Sequence, residues 1–163
     1  MTDIRFHILQ PGDNDTFQLI AEWYSNELKI PMHHTIQKLK SVTADRSQFQ
    51  ALMTLDGSPV STGGLYNHVG LLDKEPGFNI YKNWLAIVYT IPEQKQKGYG
   101  ALIGKYIQEH SKKLGLEKMY LFTDTAERLY NKPGWAELER LQPGDRNVVV
   151  MEKNLNNDNN NTI

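Results

Sequence analysis

The apolar run Trp84-Leu-Ala-Ile-Val-Tyr-Thr-Ile91 leads through a polar loop to Gly98-Tyr99-Gly100, and from there into a long amphipathic stretch. Eight residues without a charge, rich in β-formers, predict a central strand covered on both faces. Leu102, Ile103, Tyr106, Ile107, His110 and Leu114 then recur at helical spacing, and Gly115 supplies a helix stop. Met119-Tyr-Leu-Phe-Thr123 follows as another buried strand. A strand–loop–helix–strand unit of this length is a crossover between parallel strands, which packs a helix on a sheet. That excludes all-α and all-β architectures.

The flanking sequence adds antiparallel elements. Ile4-Arg5-Phe6-His7-Ile8 alternates like a half-buried strand. Asp15, three residues before Gln18, predicts a capping-box start for a helix carrying Phe17, Ile20, Ala21, Tyr24 and Leu28. Pro31 separates it from a second helix over Thr35 to Val42. Phe49–Leu55 and Val60–Leu65 form a hairpin around Asp56-Gly57, a dipeptide suited to the positive φ of a tight turn. Residues 67–82 predict a long loop. Ala126 to Tyr130 predicts a short helix stopped by Pro133-Gly134. Trp135–Leu141 and Val148–Met151 are closing strands around a turn at Pro143-Gly144-Asp145. The expected fold is α/β (mixed α+β): a mixed sheet of about seven strands with helices on both faces.

The length of 163 residues predicts one domain over 1–153. Six of the last ten residues are Asn, which predicts a flexible tail over 154–163. The chain has no cysteine, so disulfides, thiol nucleophiles and thiolate zinc sites are excluded. A net charge of −1 argues against a nucleic-acid partner. The longest apolar run is far short of a membrane span, and the start Met1-Thr2-Asp3-Ile4-Arg5 shows no signal peptide. A cytoplasmic location is the expectation.

The glycine loop carries the chemistry. The first N–H groups of a helix lack internal partners and sit at the positive end of its dipole. Gly98 and Gly100 let a ligand approach the backbone, and Lys95 and Lys97 add positive charge. Together these suit a phosphate or pyrophosphate, although two glycines that merely shape a turn explain the fragment equally well. No G-x-x-x-x-G-K-[ST] occurs, so a Walker A loop is excluded. A dinucleotide fingerprint needs a third glycine where Ile103 stands; Asp124 follows the next strand, but six residues between Ile91 and Gly98 are too many for its tight turn.

Residues Trp84 to Trp135 resemble the GNAT superfamily of N-acetyltransferases. Lys95-Gln96-Lys97-Gly98-Tyr99-Gly100 matches its Gln/Arg-x-x-Gly-x-Gly/Ala loop, approached through Val88-Tyr89-Thr90 and Pro92-Glu93. Ala126-Glu-Arg-Leu-Tyr130-Asn-Lys-Pro-Gly134-Trp135 resembles its A-x-x-L-Y-x-x-x-G-[FW] segment. The resemblance implies acetyl transfer from acetyl-CoA to an amine, with no metal. It implies that backbone groups of Val88, Tyr89 and Thr90 pair with the pantetheine arm. The N–H groups of Gln96, Lys97, Gly98, Tyr99, Gly100 and Ala101, beside Lys95, hold the pyrophosphate. The resemblance further implies that Tyr130 serves as general acid to the leaving thiolate and that a backbone N–H near Val88 receives the oxyanion. Three positions differ from the family pattern. Lys95 keeps the charge of the usual Arg but not its planar fork. Thr123 replaces an Asn that contacts the cofactor. Pro133 ends the short helix early.

The amine side is less legible. Trp84 to Ile91 has no carboxylate to act as base. His68, Asp73, Glu75, Glu22 and Glu27 are candidates, each read more simply as a solvated side chain, and a water chain would serve as well. Adjacent His33 and His34 do not point together and have no third ligand at useful spacing. Among aromatics, Tyr24 reads as core, while Phe78 and Tyr81 in the long loop are the better candidates for substrate contact than Trp23 or Tyr66. The implied partner is a small-molecule or peptide amine, with no nucleic acid or membrane, in a monomer or homodimer. A GNAT-like module that binds CoA without transferring is the alternative. Residues 95–118 hold 6 basic and 2 acidic side chains, so the near-zero total conceals a basic segment at the phosphate loop.

Overall fold

Asp56 and Gly57 have φ of 51° and 86°, the pair of positive values that a two-residue hairpin turn requires. They join β2 (Phe49–Leu55) to β3 (Ser58–Tyr66) in the computed structural model, which describes residues 2–123, 134–141 and 148–156. Before the hairpin come β1 (Ile4–Ile8), α1 (Asn14–Leu28) and α2 (Met32–Thr43). After it come α3 (Leu71–Lys74), a 3-10 turn over Pro76–Ile80, β4 (Trp84–Thr90), a 3-10 turn over Pro92–Gln94 and α4 (Tyr99–Lys113). Strands β5 (Lys118–Thr123), β6 (Trp135–Leu141) and β7 (Val148–Asn154) complete the order. Hydrogen bonding arranges the strands β1-β2-β3-β4-β5-β7-β6. The sheet is mixed: β1 and β2, β5 and β7, and β6 and β7 pair antiparallel, while β4 and β5 pair parallel with Trp84 opposite Tyr120. This is the sheet flanked by helices that the sequence predicts.

The chain comprises two compact units. The first contains residues up to 64 together with 87–106; the second contains 65–86 and the residues from 107 onward. In the first, Phe17, Ile20 and Tyr24 of α1 and Leu39 of α2 pack with Leu9, Leu52 of β2 and Tyr89 of β4. Phe6 of β1 stacks on Tyr106 of α4 with ring centroids 4.5 Å apart. In the second, Trp84 is fully buried and its indole N–H donates to the Tyr81 carbonyl at 3.0 Å. Tyr120 takes Tyr81 at 4.7 Å and Trp84 at 5.7 Å between ring centroids.

Several local expectations need correction. Helix α1 starts at Asn14 with Asp13 before it, not at Asp15. The Asp13 carboxylate accepts from Gln10 N–H at 2.8 Å, outside the helix, and Gln18 donates forward to Glu22 instead of back into a capping box. Helix α2 begins three residues earlier than Thr35, directly after Pro31, whose extended backbone suits the position before a helix. The long loop 67–82 holds α3 and a 3-10 turn, because Leu71, Leu72 and Phe78 find buried places. The apolar stripe of α4 is narrower than its sequence suggests: Ile103, Ile107 and Ser111 are buried, whereas Leu102 is 40% and Leu114 is 45% exposed. Strand β7 runs to Asn154, and Leu155 is fully buried with its N–H on the Glu117 carbonyl at 2.8 Å. Strand β6 carries a bulge between Glu137 and Glu139, which leaves Leu138 without a partner on β7.

Candidate active site

The site predicted around β4 and the glycine loop falls mostly in the first unit. Its framework is the backbone of β4. Ser61 Oγ donates to the Tyr89 carbonyl at 2.8 Å, and Ile91 N–H donates to the Val60 carbonyl at 2.9 Å. Residues 89 and 91 thus spend backbone groups on β3. Successive residues of an extended strand face opposite edges, so Val88 and Thr90 direct theirs away from β3. On that side the paired residues of β4 and β5 are Trp84 and Tyr120, at the start of β4, so toward its end the strand offers hydrogen-bonding groups for an extended ligand to pair with, as an added strand does.

One residue breaks the regularity. Ile87 has φ of 49°, a conformation that costs a β-branched residue roughly 1–3 kcal/mol. Its carbonyl accepts a hydrogen bond of 2.8 Å from the hydroxyl of Tyr24, and the residue is 38% exposed. Tyr24, the reading of which as core holds, is 1% exposed. Burial pushes its phenol far above the ordinary value, so the proton stays on the oxygen at any physiological pH.

The glycine loop lies against this strand. A Cβ built on Gly100 would rest 3.9 Å from both Thr90 Oγ1 and Val88 Cγ1. Gly98 has φ of 84° with open space where a Cβ would point, and Gln96 has φ of 66°. Left-handed residues alternating with an ordinary one turn successive N–H groups toward one concavity, a geometry that suits anions. Leu102 N–H makes the first helical bond back to the Gly98 carbonyl at 3.1 Å. The N–H groups of Tyr99, Gly100 and Ala101 therefore precede the helical ladder and have no partner within it.

The charged side chains beside the loop are engaged. Lys97 donates to Gln94 Oε1 at 3.0 Å, and the Lys95 ammonium lies 5.9 Å from the Tyr89 ring centre, within cation–π range. Burial raises the Tyr89 phenol above its ordinary value, and the nearby Glu27 and Glu93 carboxylates raise it further. Trp23 tilts against the same ring at 5.7 Å. The influence of Glu27 on Tyr89 is not legible in the sequence, because nothing local links positions 62 residues apart.

Other predicted residues sort differently. Thr123 ends β5 in the second unit, opposite Val149. Tyr130, with the short helix around it and Asp124, lies outside the described residues. Phe78 is buried and Tyr81 lies between it and Tyr120, so both are packing aromatics of the second unit where substrate contact was expected. Tyr66 is buried as well, and Glu75 directly follows α3. His68 pairs with Asp73 at 3.0 Å on the surface. Contrary to the expectation that they point apart, the rings of His33 and His34 meet edge to face, 4.3 Å between centroids; no cluster of three His, Asp or Glu side chains among the described residues is placed to hold a metal ion. No helix among them is long and apolar enough to cross a membrane.

No protein-family model and no curated protein sequence matches the chain. Solved structures do. An aminoglycoside 6'-N-acetyltransferase complexed with coenzyme A superposes with a TM-score of 0.72 at 10% identity, covering 93% of this chain and 97% of that one. An acetyltransferase of the GNAT family from Streptococcus pneumoniae gives 0.68 at 15% identity, over 93% and 99%. A putative acetyltransferase from Salmonella typhimurium with its cofactor acetyl-CoA gives 0.69 at 12% identity, over 94% of each chain. The chain shares its fold, over nearly its whole length, with the GNAT acetyltransferases.

Proposed function

We propose that this chain is an acetyl-CoA-dependent N-acetyltransferase that moves an acetyl group to a primary amine of a small molecule or peptide, by direct attack in a ternary complex. The observation that carries the reading is the pairing of two features in one place. The backbone groups of Val88 and Thr90 face away from β3, and the loop from Gln96 to Ala101 lies beside them with its N–H groups outside the α4 ladder. Open backbone groups toward the end of a strand, in contact with an anion cradle, match a ligand that is extended and amide-bearing at one end and diphosphorylated at the other.

Acetyl-CoA, when bound, supplies an acyl group activated as a thioester. Val88 and Thr90 orient its arm, and the loop N–H groups, with Lys95 and Lys97 nearby, neutralise its phosphates. The Val88 N–H takes the role of oxyanion donor. Tyr130 takes that of general acid, since an O–H of pKa about 10 gives up its proton to a thiolate at little cost. Thr123 adds a hydroxyl toward the cofactor. Absence of cysteine excludes an acyl-thiol enzyme, which makes direct attack by the amine the simplest route.

Thermal unfolding with and without acetyl-CoA, followed by thiol release over a panel of amines, tests the proposal. The expected result is a raised Tm, as for any ligand bound by the native state alone, and thiol release with at least one amine. Tyr130→Phe should keep the Tm rise and lose most of the release. A Tm unmoved by millimolar acetyl-CoA overturns the reading. A Tm rise with no release from any amine favours a CoA-binding module without transfer.

A further inference from the structure

The Ile87 carbonyl and the Val88 N–H belong to one planar peptide unit and point in opposite directions. Whatever holds the first therefore aims the second. The carbonyl is held at 2.8 Å by the Tyr24 hydroxyl, from within the core. The hydroxyl's own direction is fixed by a chain of buried donors. Thr62 Oγ1 donates to the Ala51 carbonyl at 2.7 Å, so it accepts from Gln50 Nε2, also at 2.7 Å. Gln50 Nε2 donates as well to the Tyr24 oxygen at 3.3 Å. With its oxygen accepting, Tyr24 has one proton, and that proton goes to Ile87. Gln50 and Thr62 are fully buried, so water does not compete along the chain.

We propose that Tyr24 is a positioning residue for acyl transfer: its hydroxyl clamps the Ile87–Val88 peptide in its left-handed turn, so that the Val88 N–H faces outward from the core toward the acyl group. This rests on the acetyltransferase reading above. Nothing in the side chain of Ile87 favours φ of 49°, and without the clamp the residue relaxes toward the extended region that β-branched residues prefer. Relaxation rotates the whole peptide and swings the Val88 N–H off its aim. A hydrogen bond to the carbonyl also polarises the peptide, which strengthens the N–H as a donor.

The test is Tyr24→Phe, which keeps the ring and removes only the hydroxyl. Three readouts are taken: kcat and KM for acetyl-CoA, Tm, and the backbone amide shifts of Ile87 and Val88 by 15N NMR. We expect kcat to fall about tenfold or more with KM changed less than about twofold, and the Val88 amide signal to move. Val42→Ala, a buried change in α2 away from the strand, supplies a variant of comparable stability loss that should keep kcat. The proposal is overturned if the Ile87 and Val88 signals stay in place, or if kcat falls no further than in Val42→Ala. Should Tyr24→Phe fail to fold, Gln50→Met removes the donor that directs the hydroxyl and is read in the same way. If the wild-type chain neither binds acetyl-CoA nor releases thiol, the acetyltransferase reading falls, while the amide signals still decide whether Tyr24 sets this peptide.

Discussion

Asp45 shows how much one half-buried side chain can organise. Its carboxylate accepts from the Ser47 N–H at 2.9 Å, the Ser47 hydroxyl at 2.8 Å and the Gln48 amide at 2.9 Å, in the turn between α2 and β2. These bonds favour the ionised form, the Ser47 N–H foremost, and hold its pKa below the ordinary value. A depressed carboxyl value means that the stabilisation is present above the unfolded-state pKa and is lost as pH falls through the folded one. Asp45→Asn should therefore lower Tm at neutral pH, and the gap from wild type should close as the solution is acidified below the usual carboxylate range. Thermal melts over a pH series check this. Aspartate two residues before Ser47 is a legible turn signal at this scale, and Gly98 is another, because its φ of 84° favours a residue without Cβ. Tyr24 was legible only as core. Its bond to Ile87 spans 63 positions and depends on a backbone conformation that an isoleucine does not advertise.

Elements are legible in the sequence where local chemistry and periodicity agree. The β2–β3 hairpin follows from Asp56-Gly57 between two apolar runs, and β4 from an uncharged run. Helix α4 was found by its spacing and its stop, since Gly115 adopts φ of 89° and the Leu116 N–H closes onto the Ser111 carbonyl at 3.2 Å. Which residues of α4 face the core was read less well. Hydrophobic spacing admits Leu102 and Leu114 to the stripe, but a small serine at 111 takes the buried place, its hydroxyl satisfied by the Ile107 carbonyl at 2.7 Å. Urea unfolding should separate the two faces. Ile107→Ala should cost about 2–5 kcal/mol, whereas Leu102→Ala should cost about 0.5 kcal/mol or less. The order within the long loop after β3 is not legible locally because it comes from rings in distant elements: Tyr81 and Trp84 meet Tyr120 only once β4 and β5 are paired.

For the molecule as a whole, a net charge of −1 hides the basic excess of residues 95–118. Under the proposed function that segment meets a ligand of several negative charges, and charges exposed to solvent are screened by salt. The Kd for CoA should therefore rise about threefold or more for a tenfold increase in salt. The Tm of the free protein should move little by comparison, since its folding rests on buried apolar contacts. Titration calorimetry at several salt concentrations measures the first, and melts in the same buffers the second. An affinity independent of salt would place the binding energy elsewhere than in the loop. The bulge in β6 bears on the molecule's behaviour at high concentration. Strand β6 ends the sheet order, so its outer row of N–H and C=O groups is a template on which another chain could polymerise. With Leu138 displaced from the ladder and Glu137, Glu139 and Arg140 exposed around it, that template is interrupted at its centre and charged on both sides of the break, so fibril growth has no continuous register to copy.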